Sequence, residues 1–299
     1  MLLVDVTDNK VCVGNRMVIE LKYGNTHTYL IKGNNGYILF DTAWAGTFSE
    51  FCRELGRLKI SIQDIRYILI SHFHPDHMGI ASDIASNGAT IVVFECQREY
   101  VHWADHIFAK DSRIEFTPID DSKIRVLHEN QGKDILAELG IEGEIIHTPG
   151  HSDDSISLYL HSGELLVGDL NPLYELELHK GNEIYKSWQK LLAMKPAVVY
   201  YGHAKKCVLD KNDMNKCVLD KNDMNKCMLK DASDNQADER VYELVGKIMN
   251  YVDKGRSVDS ICKKTKAKKE FVEDVTRMYL THKDVGVQGI LDRIEIKGM

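Results

Sequence analysis

Nothing in the sequence approaches the roughly 18 consecutive apolar residues that a bilayer-crossing helix needs, so no membrane association is expected. The opening stretch, MLLVDVTDNKVCVG, has no basic start and charge soon interrupts its apolar run. A secretory leader is therefore not expected. Basic charge is also short: 38 Lys+Arg against 45 Asp+Glu give a net charge of −7 and a pI near 6.0. That balance runs against a dedicated nucleic-acid binder, which is basic overall. The 7 cysteines (Cys12, Cys52, Cys96, Cys207, Cys217, Cys227, Cys262) are odd in number and scattered, with no C-x-x-C. Reduced thiols in a cytoplasmic protein are the expectation.

With 43% hydrophobic residues in 299, the chain can bury a sizeable core. Its first part reads as a meander: three apolar runs in RMVIELKYGNTHTYLIKGNNGYILFDTAW are broken by the hairpin signals YGNT and GNNG. TFSEFCRELGRLKI carries Phe48, Phe51, Leu55 and Leu58 at helical spacing. IRYILIS and ATIVVFE read as buried strands, ASDIASNG as a helix closed by Gly88, and CQREYVHWADHIFAK as a further helix. GEIIHTPGH, SISLYLHSGELLVGDL and PAVVYYGHA supply more strands, with IYKSWQKLLAM a helix before the last. This order predicts an α/β fold, an αββα sandwich of two sheets with helices outside, plus a small C-terminal helical extension.

Past Lys206 the text changes. KCVLDKNDMN at 206–215 recurs letter for letter at 216–225, and KCMLKD follows. Ten-residue spacing of cysteines matches no zinc pattern, and the acidic stretch lacks the turn glycine of a calcium loop. A tandem duplication in an exposed linker accounts for it, since loops tolerate insertion at little entropic cost. The expected division is a sandwich domain over 1–206, a linker over 207–236 and a helix–turn–helix-like domain over 237–299. Lys263, Lys264, Lys266, Lys268 and Lys269 form a basic run there, read as a solvated helix face.

The chemistry concentrates in SHFHPDHMGI, where His72, His74, Asp76 and His77 fall directly after a buried strand. Imidazoles and a carboxylate suit zinc, iron or manganese. Two histidines two apart at a strand end point the same way. Asp76 and His77, beyond Pro75, face the adjacent volume, so one short loop can feed two metals. HFHPDH resembles the signature of the metallo-β-lactamase fold superfamily. TPGHSDDS with His151, LLVGDL with Asp169, YYGHA with His203 and the earlier ILFDT with Asp41 follow the same pattern in the same order.

That resemblance, over roughly residues 18 to 206, implies a dinuclear metallohydrolase. His72, His74 and His151 would hold one metal, Asp76, His77 and His203 the other, and Asp169 would bridge them together with a solvent hydroxide. Two divalent ions are implied, zinc first, with iron or manganese also compatible. Asp76 is the implied catalytic group, orienting the attacking water and handling its proton, and Asp41 is read as a supporting group. His74 replaces the glutamate of the diiron oxidoreductase branch. Asp169 stands where the antibiotic-hydrolysing branch has cysteine or no bridging ligand, so β-lactam hydrolysis is disfavoured. The remaining expectation is hydrolysis of a small ester, lactone or thioester, as in the glyoxalase II and lactonase group. The alternative is a phosphodiesterase or ribonuclease whose C-terminal unit contacts nucleic acid.

Trp44, Tyr174 and His179, on loops after Asp41 and Asp169, are candidate substrate-binding residues. His102 and His106 lack a third ligand nearby, and with His27, His128, His147, His161 and His282 they read as surface or core histidines. A homodimer through the helical tail is compatible with the pattern. Removing one copy of the ten-residue duplicate should leave folding and activity nearly unchanged, as checked by thermal unfolding and turnover of the shortened chain; a large loss of either would make the repeat structural.

Overall fold

Two sheets stacked face to face organise the chain. The computed structural model describes residues 17–109, 114–209, 236–281, 286–287 and 290–291. Most of the duplication, the first 16 residues and His282 lie outside the described residues. The first sheet runs in the order β1 (Val18–Leu21), β2 (Thr28–Gly33), β3 (Gly36–Phe40), β4 (Ile65–Leu69), β5 (Thr90–Phe94) and β6 (Ile124–Leu127). It begins as the expected antiparallel meander and turns parallel from β3 onward. The second sheet holds β7 (Gly143–His147), β8 (Ile156–Leu160), β9 (Glu164–Leu166), β10 (Val198–Tyr200) and β11 (Cys207–Val208). β11 pairs with β10, so the sheet takes in the first residues of the repeated text.

Alternation along the strands makes the layers. Tyr29, Ile31, Ile38 and Phe40 point toward Ile156, Leu158, Leu160 and Leu166 of the facing sheet, forming the inter-sheet core. Leu30, Leu39, Ile68 and Ile91 point the other way, against Phe51 and Leu55 of α1 (Phe48–Leu58) and Ile84 of α3 (Ala81–Ala85). On the far side, Leu165 and Val199 pack against Trp188 and Leu191 of α6 (Glu183–Ala193). The αββα layering read from the element order is therefore what the chain builds. Between α1 and α3 lies the short α2 (Pro75–Met78), and α5 (Gly132–Glu138) packs its Ile135 and Leu136 into the inter-sheet core.

One expected helix is broken. CQREYVHWADHIFAK forms a 3-10 turn over Glu95–Tyr100 and, after an irregular stretch, the four-residue α4 (Asp105–Phe108). The Gln97 amide explains the tight turn: it is buried, donating to the carbonyls of Ile70 (2.8 Å) and Asp154 (3.2 Å). A regular helix would carry that side chain away from both. Gly88, at φ 112, ends the α3 segment by donating to Ala85 O.

Farther along, α7 (Gln236–Asp253), α8 (Val258–Thr265) and α9 (Lys269–Thr281) share an apolar cluster of Val245, Ile248, Ile261, Val272, Val275 and Ile290. No described helix is long and apolar enough to cross a membrane.

Glu54 is the buried acid of α1. It accepts from Lys22 N at 3.0 Å and from both Arg57 Nε and Nη2 at 2.7 Å. The Arg57 hydrogen bonds hold its carboxyl below the usual range, against the opposing effect of burial. Stability from this group is present above the unfolded-state carboxyl pKa and is lost as pH falls through the lower folded value. Glu54→Gln should therefore destabilise the chain at pH 7 by about 1–3 kcal/mol, and the gap to wild type should close in denaturant titrations at pH 3; an equal gap at both pH values would contradict the assignment.

Candidate metal centre

All seven sequence-derived ligand candidates converge at one edge of the sandwich, beyond strand ends from both sheets. β4 stops at Leu69, and the chain runs through Ser71, His72 and His74 into α2, with Pro75 at its first position. There a missing N–H costs nothing and the fixed φ favours the helix. Asp76 and His77 thus sit on the first turn, their geometry set by His77 N–H donating to His74 O (3.0 Å).

A second loop braces the first. Asp41 follows β3 with φ 62, and Ala43 has φ 60, both left-handed conformations that non-glycine residues rarely adopt. The strain is held by cross-links: Thr42 N donates to His77 O (2.8 Å) and Gly79 N to Ala43 O (2.9 Å). A Cβ on Gly79 would lie 2.1 Å from Ala45 N, so this approach requires glycine. So placed, the Asp41 carboxylate accepts from Ser71 N (2.7 Å), Ser71 Oγ (2.9 Å) and His77 Nδ1 (2.9 Å). Asp41 therefore orients His77 and leaves its Nε2 facing the site.

From the second sheet, His151 comes after β7, where Ser187 Oγ of α6 donates to Pro149 O at 2.7 Å. Asp169 comes after β9 and His203 after β10, and Gly202 N donates to Gly168 O (2.7 Å) to register the two loops. Asp154 locks the sheets together at the site, accepting from Phe73 N at 2.7 Å.

The side chains form two groups whose ligand atoms lie within 4.8 Å of one another: His72, His74 and His151, and Asp76, His77, Asp169 and His203. His74 Nδ1 and His151 Nε2 are 3.2 Å apart, and His203 Nε2 and Asp76 Oδ2 are 2.8 Å apart. Asp169 reaches both groups. Its Oδ2 lies 3.7 Å from His151 Nε2, and its Oδ1 lies 3.3 Å from His77 Nε2 and 3.6 Å from His203 Nε2.

Two observations fit this set to cations. His72 Nε2, His77 Nε2 and Asp169 Oδ1 are buried and make no hydrogen bond, which ordinary interiors avoid. Asp41, Asp76 and Asp169 also bring three carboxylates into a largely buried space, and such charge needs compensation. Burial, with neighbouring histidines, holds His72 well below the usual imidazole range, the neutral form that ligates metals. Burial also lowers His74. His77 and His203 go up: burial opposes protonation, but nearby carboxylates, Asp169 foremost, outweigh it. Burial likewise opposes ionisation of Asp169, and His203 and His77 overcome it.

Of the pocket candidates, Trp44 is 37% exposed on the Asp41 loop and packs edge-on against Phe108 (5.2 Å). His179 is only 2% exposed and lies beside Asn182. Tyr174 lies in the 3-10 turn Leu173–His179, and its side chain is outside the described set. Sequence reading missed Trp103, which is 48% exposed with its ring 5.8 Å from that of His74. Only its place among histidines in YVHWADH hinted at this. His102 belongs to neither ligand group and is bonded to Asp105 and Asp121 at 3.0 Å each.

Residues 21–203 match the family described as the Metallo-beta-lactamase superfamily. Among curated proteins, the chain is 29% identical over 186 residues to "Beta-lactamase-like protein 2 homolog" of Drosophila melanogaster, covering 60% of this chain and 58% of that one. It is 24% identical over 230 residues to "Probable metallo-hydrolase YqjP" of Bacillus subtilis (strain 168), covering 64% and 70%. The chain thus spans under two thirds of the Drosophila relative's length. Among solved structures, a metallo-beta-lactamase family protein of Thermus thermophilus superposes with a TM-score of 0.52 at 17% identity, covering 94% of this chain and 93% of that one, a likeness of fold.

Gly202 offers a direct test of the centre. A Cβ there would lie 2.6 Å from Asp169 Oδ1 and 2.8 Å from His77 Cε1. Gly202→Ala should keep the fold by circular dichroism yet lower bound metal in elemental analysis; full metal content would show that the ligand atoms are not packed as described.

Proposed function

The chain belongs to the metallo-beta-lactamase superfamily, and from that premise we propose that it is a dinuclear metal-dependent hydrolase of a small ester, lactone or thioester. The observation that carries this reading is Asp169, whose two oxygens face different ligand groups. A relative of Pseudocercospora fijiensis, 25% identical over 150 residues, is named an atrochrysone carboxyl ACP thioesterase, which agrees with acyl transfer to water. We take zinc as the metal, with iron or manganese also suited to nitrogen and carboxylate donors.

His72, His74 and His151 would hold one ion and Asp76, His77 and His203 the other, with Asp169 shared. When bound, two divalent cations make water nucleophilic at neutral pH and polarise the scissile oxygen. The chain's own part is orientation and proton handling. Asp76 has a third of its side chain exposed, which gives it a route to solvent. Its Oδ2 lies 2.8 Å from His203 Nε2 and 3.7 Å from His77 Nε2, which places the carboxylate to accept a hydrogen bond from the attacking water. Asp41, through His77, keeps the second group in register. The exposed rings of Trp103 and Trp44 offer apolar surface for the substrate's acyl part. We place the C-terminal helices as a separate unit joined by the linker.

Elemental analysis should find about two metals per chain, and fewer than one would sink the dinuclear reading. The purified chain should turn over p-nitrophenyl esters, lactones or thioesters, and Asp76→Asn should lower kcat by roughly 10²–10⁴-fold. Cleavage of bis-p-nitrophenyl phosphate or RNA, lost in His74→Ala and without ester or lactone turnover, would shift the assignment to phosphodiester hydrolysis.

A further inference from the structure

Glu175 is a buried carboxylate that the chemistry above leaves unused. It stands in the 3-10 turn Leu173–His179, reached from Asp169 through Leu170, Asn171 and Pro172. Its Oε2 accepts from Asn171 Nδ2 at 2.9 Å. Its Oε1 accepts from the main-chain N–H of Gly286 at 2.7 Å, 111 residues away in sequence. Gly286 leads into Val287 and Ile290, which pack in the apolar cluster of α7–α9. Val287 Cγ2 lies 3.4 Å from where a Cβ on Gly246 of α7 would be. On the other side, Asn171 O accepts from Trp188 Nε1 at 2.8 Å, so Asn171 is gripped through both its side chain and its main chain.

A buried carboxylate is costly unless its oxygens are bonded. One of these bonds comes from the segment that belongs to the C-terminal helices, and the other fixes the residue two positions beyond Asp169. We propose that Glu175 is a positioning residue for Asp169, and that through it the seating of the C-terminal helical unit is coupled to cation binding by Asp76, His77, Asp169 and His203. The proposal rests on the reading of Asp169 as a metal ligand. Coupling of this kind is reciprocal: cation binding must tighten the Gly286 contact as much as that contact tightens cation binding.

The test uses the full chain, stripped of metal and titrated with zinc against a chelator, with amide exchange followed on the peptide carrying Gly286. In wild type, zinc should slow exchange of that peptide. Glu175→Ala should abolish the slowing and weaken zinc binding about 10-fold, the size seen for groups supporting ligands. Thermal unfolding of the zinc-free variant reports whether it folds. Glu175→Gln should retain most of the coupling, because its amide can meet both Gly286 N and a rotated Asn171 amide. A merely structural role would lower zinc-free stability yet leave the zinc-dependent difference in exchange intact. A folded Glu175→Ala with wild-type zinc affinity would overturn the proposal. So would a wild-type chain that binds zinc while exchange at Gly286 stays indifferent to it, a result that needs no variant to fold. A wild-type chain that binds no zinc would instead bring down the metal-site reading itself.

Discussion

The Asp41 carboxylate is the constraint on which the site depends. It accepts three hydrogen bonds, two from Ser71 and one from His77, while its own backbone is held in a left-handed conformation. A strained residue persists only where its surroundings over-determine it. Here they do, because Asp41 N donates to Leu69 O and Thr42 N to His77 O. The end of β3, the end of β4 and the first turn of α2 become one rigid corner. Without that corner the histidines of SHFHPDH would be flexible loop side chains; with it, they present ring nitrogens in fixed directions.

Fixing one corner is not enough, because the ligand set is divided between the sheets. His72, His74, Asp76 and His77 follow a strand of the first sheet, whereas His151, Asp169 and His203 follow strands of the second. Their spacing is therefore set by how the sheets stack. The inter-sheet core of Tyr29, Ile31, Phe40, Leu158 and Leu166 sets the separation coarsely. Directed bonds then refine it: Ile156 N donates to Ser71 O (2.8 Å), Phe73 N to Asp154 and Tyr29 Oη to Tyr201 O (2.7 Å).

Local patterns made the strands, most helices and the ligand candidates legible in the sequence. H-x-H-x-D-H is contiguous, and short apolar runs announce the strands before the ligands. What escaped notice acts at long range. Asp154 meets Phe73 across 81 residues, and Gln97 meets Ile70 across 27. Gln97 also explains why CQREYVHWADHIFAK, helical by composition, does not form one helix: a buried amide serving two carbonyls outweighs local propensity. Trp103, whose ring lies 5.8 Å from that of His74, stands in the irregular stretch between the 3-10 turn and α4. No periodicity in the text records such contacts.

Charge links the geometry to the chemistry. The carboxylates of Asp41, Asp76 and Asp169 all approach His77, which lies within 3.7 Å of each. In a buried space this arrangement strongly favours positive charge, whether protons on His77 and His203 or bound cations. His72 behaves differently, since burial and its histidine neighbours keep it neutral. A proton on His77 Nε2 would face Asp169 Oδ1 at 3.3 Å, but it would leave the buried, neutral His72 Nε2 without a partner. Divalent cations can satisfy all of these atoms at once, because one ion accepts several donors. The unbonded atoms, more than the count of histidines, therefore distinguish a metal centre from a histidine-rich ion-pair network.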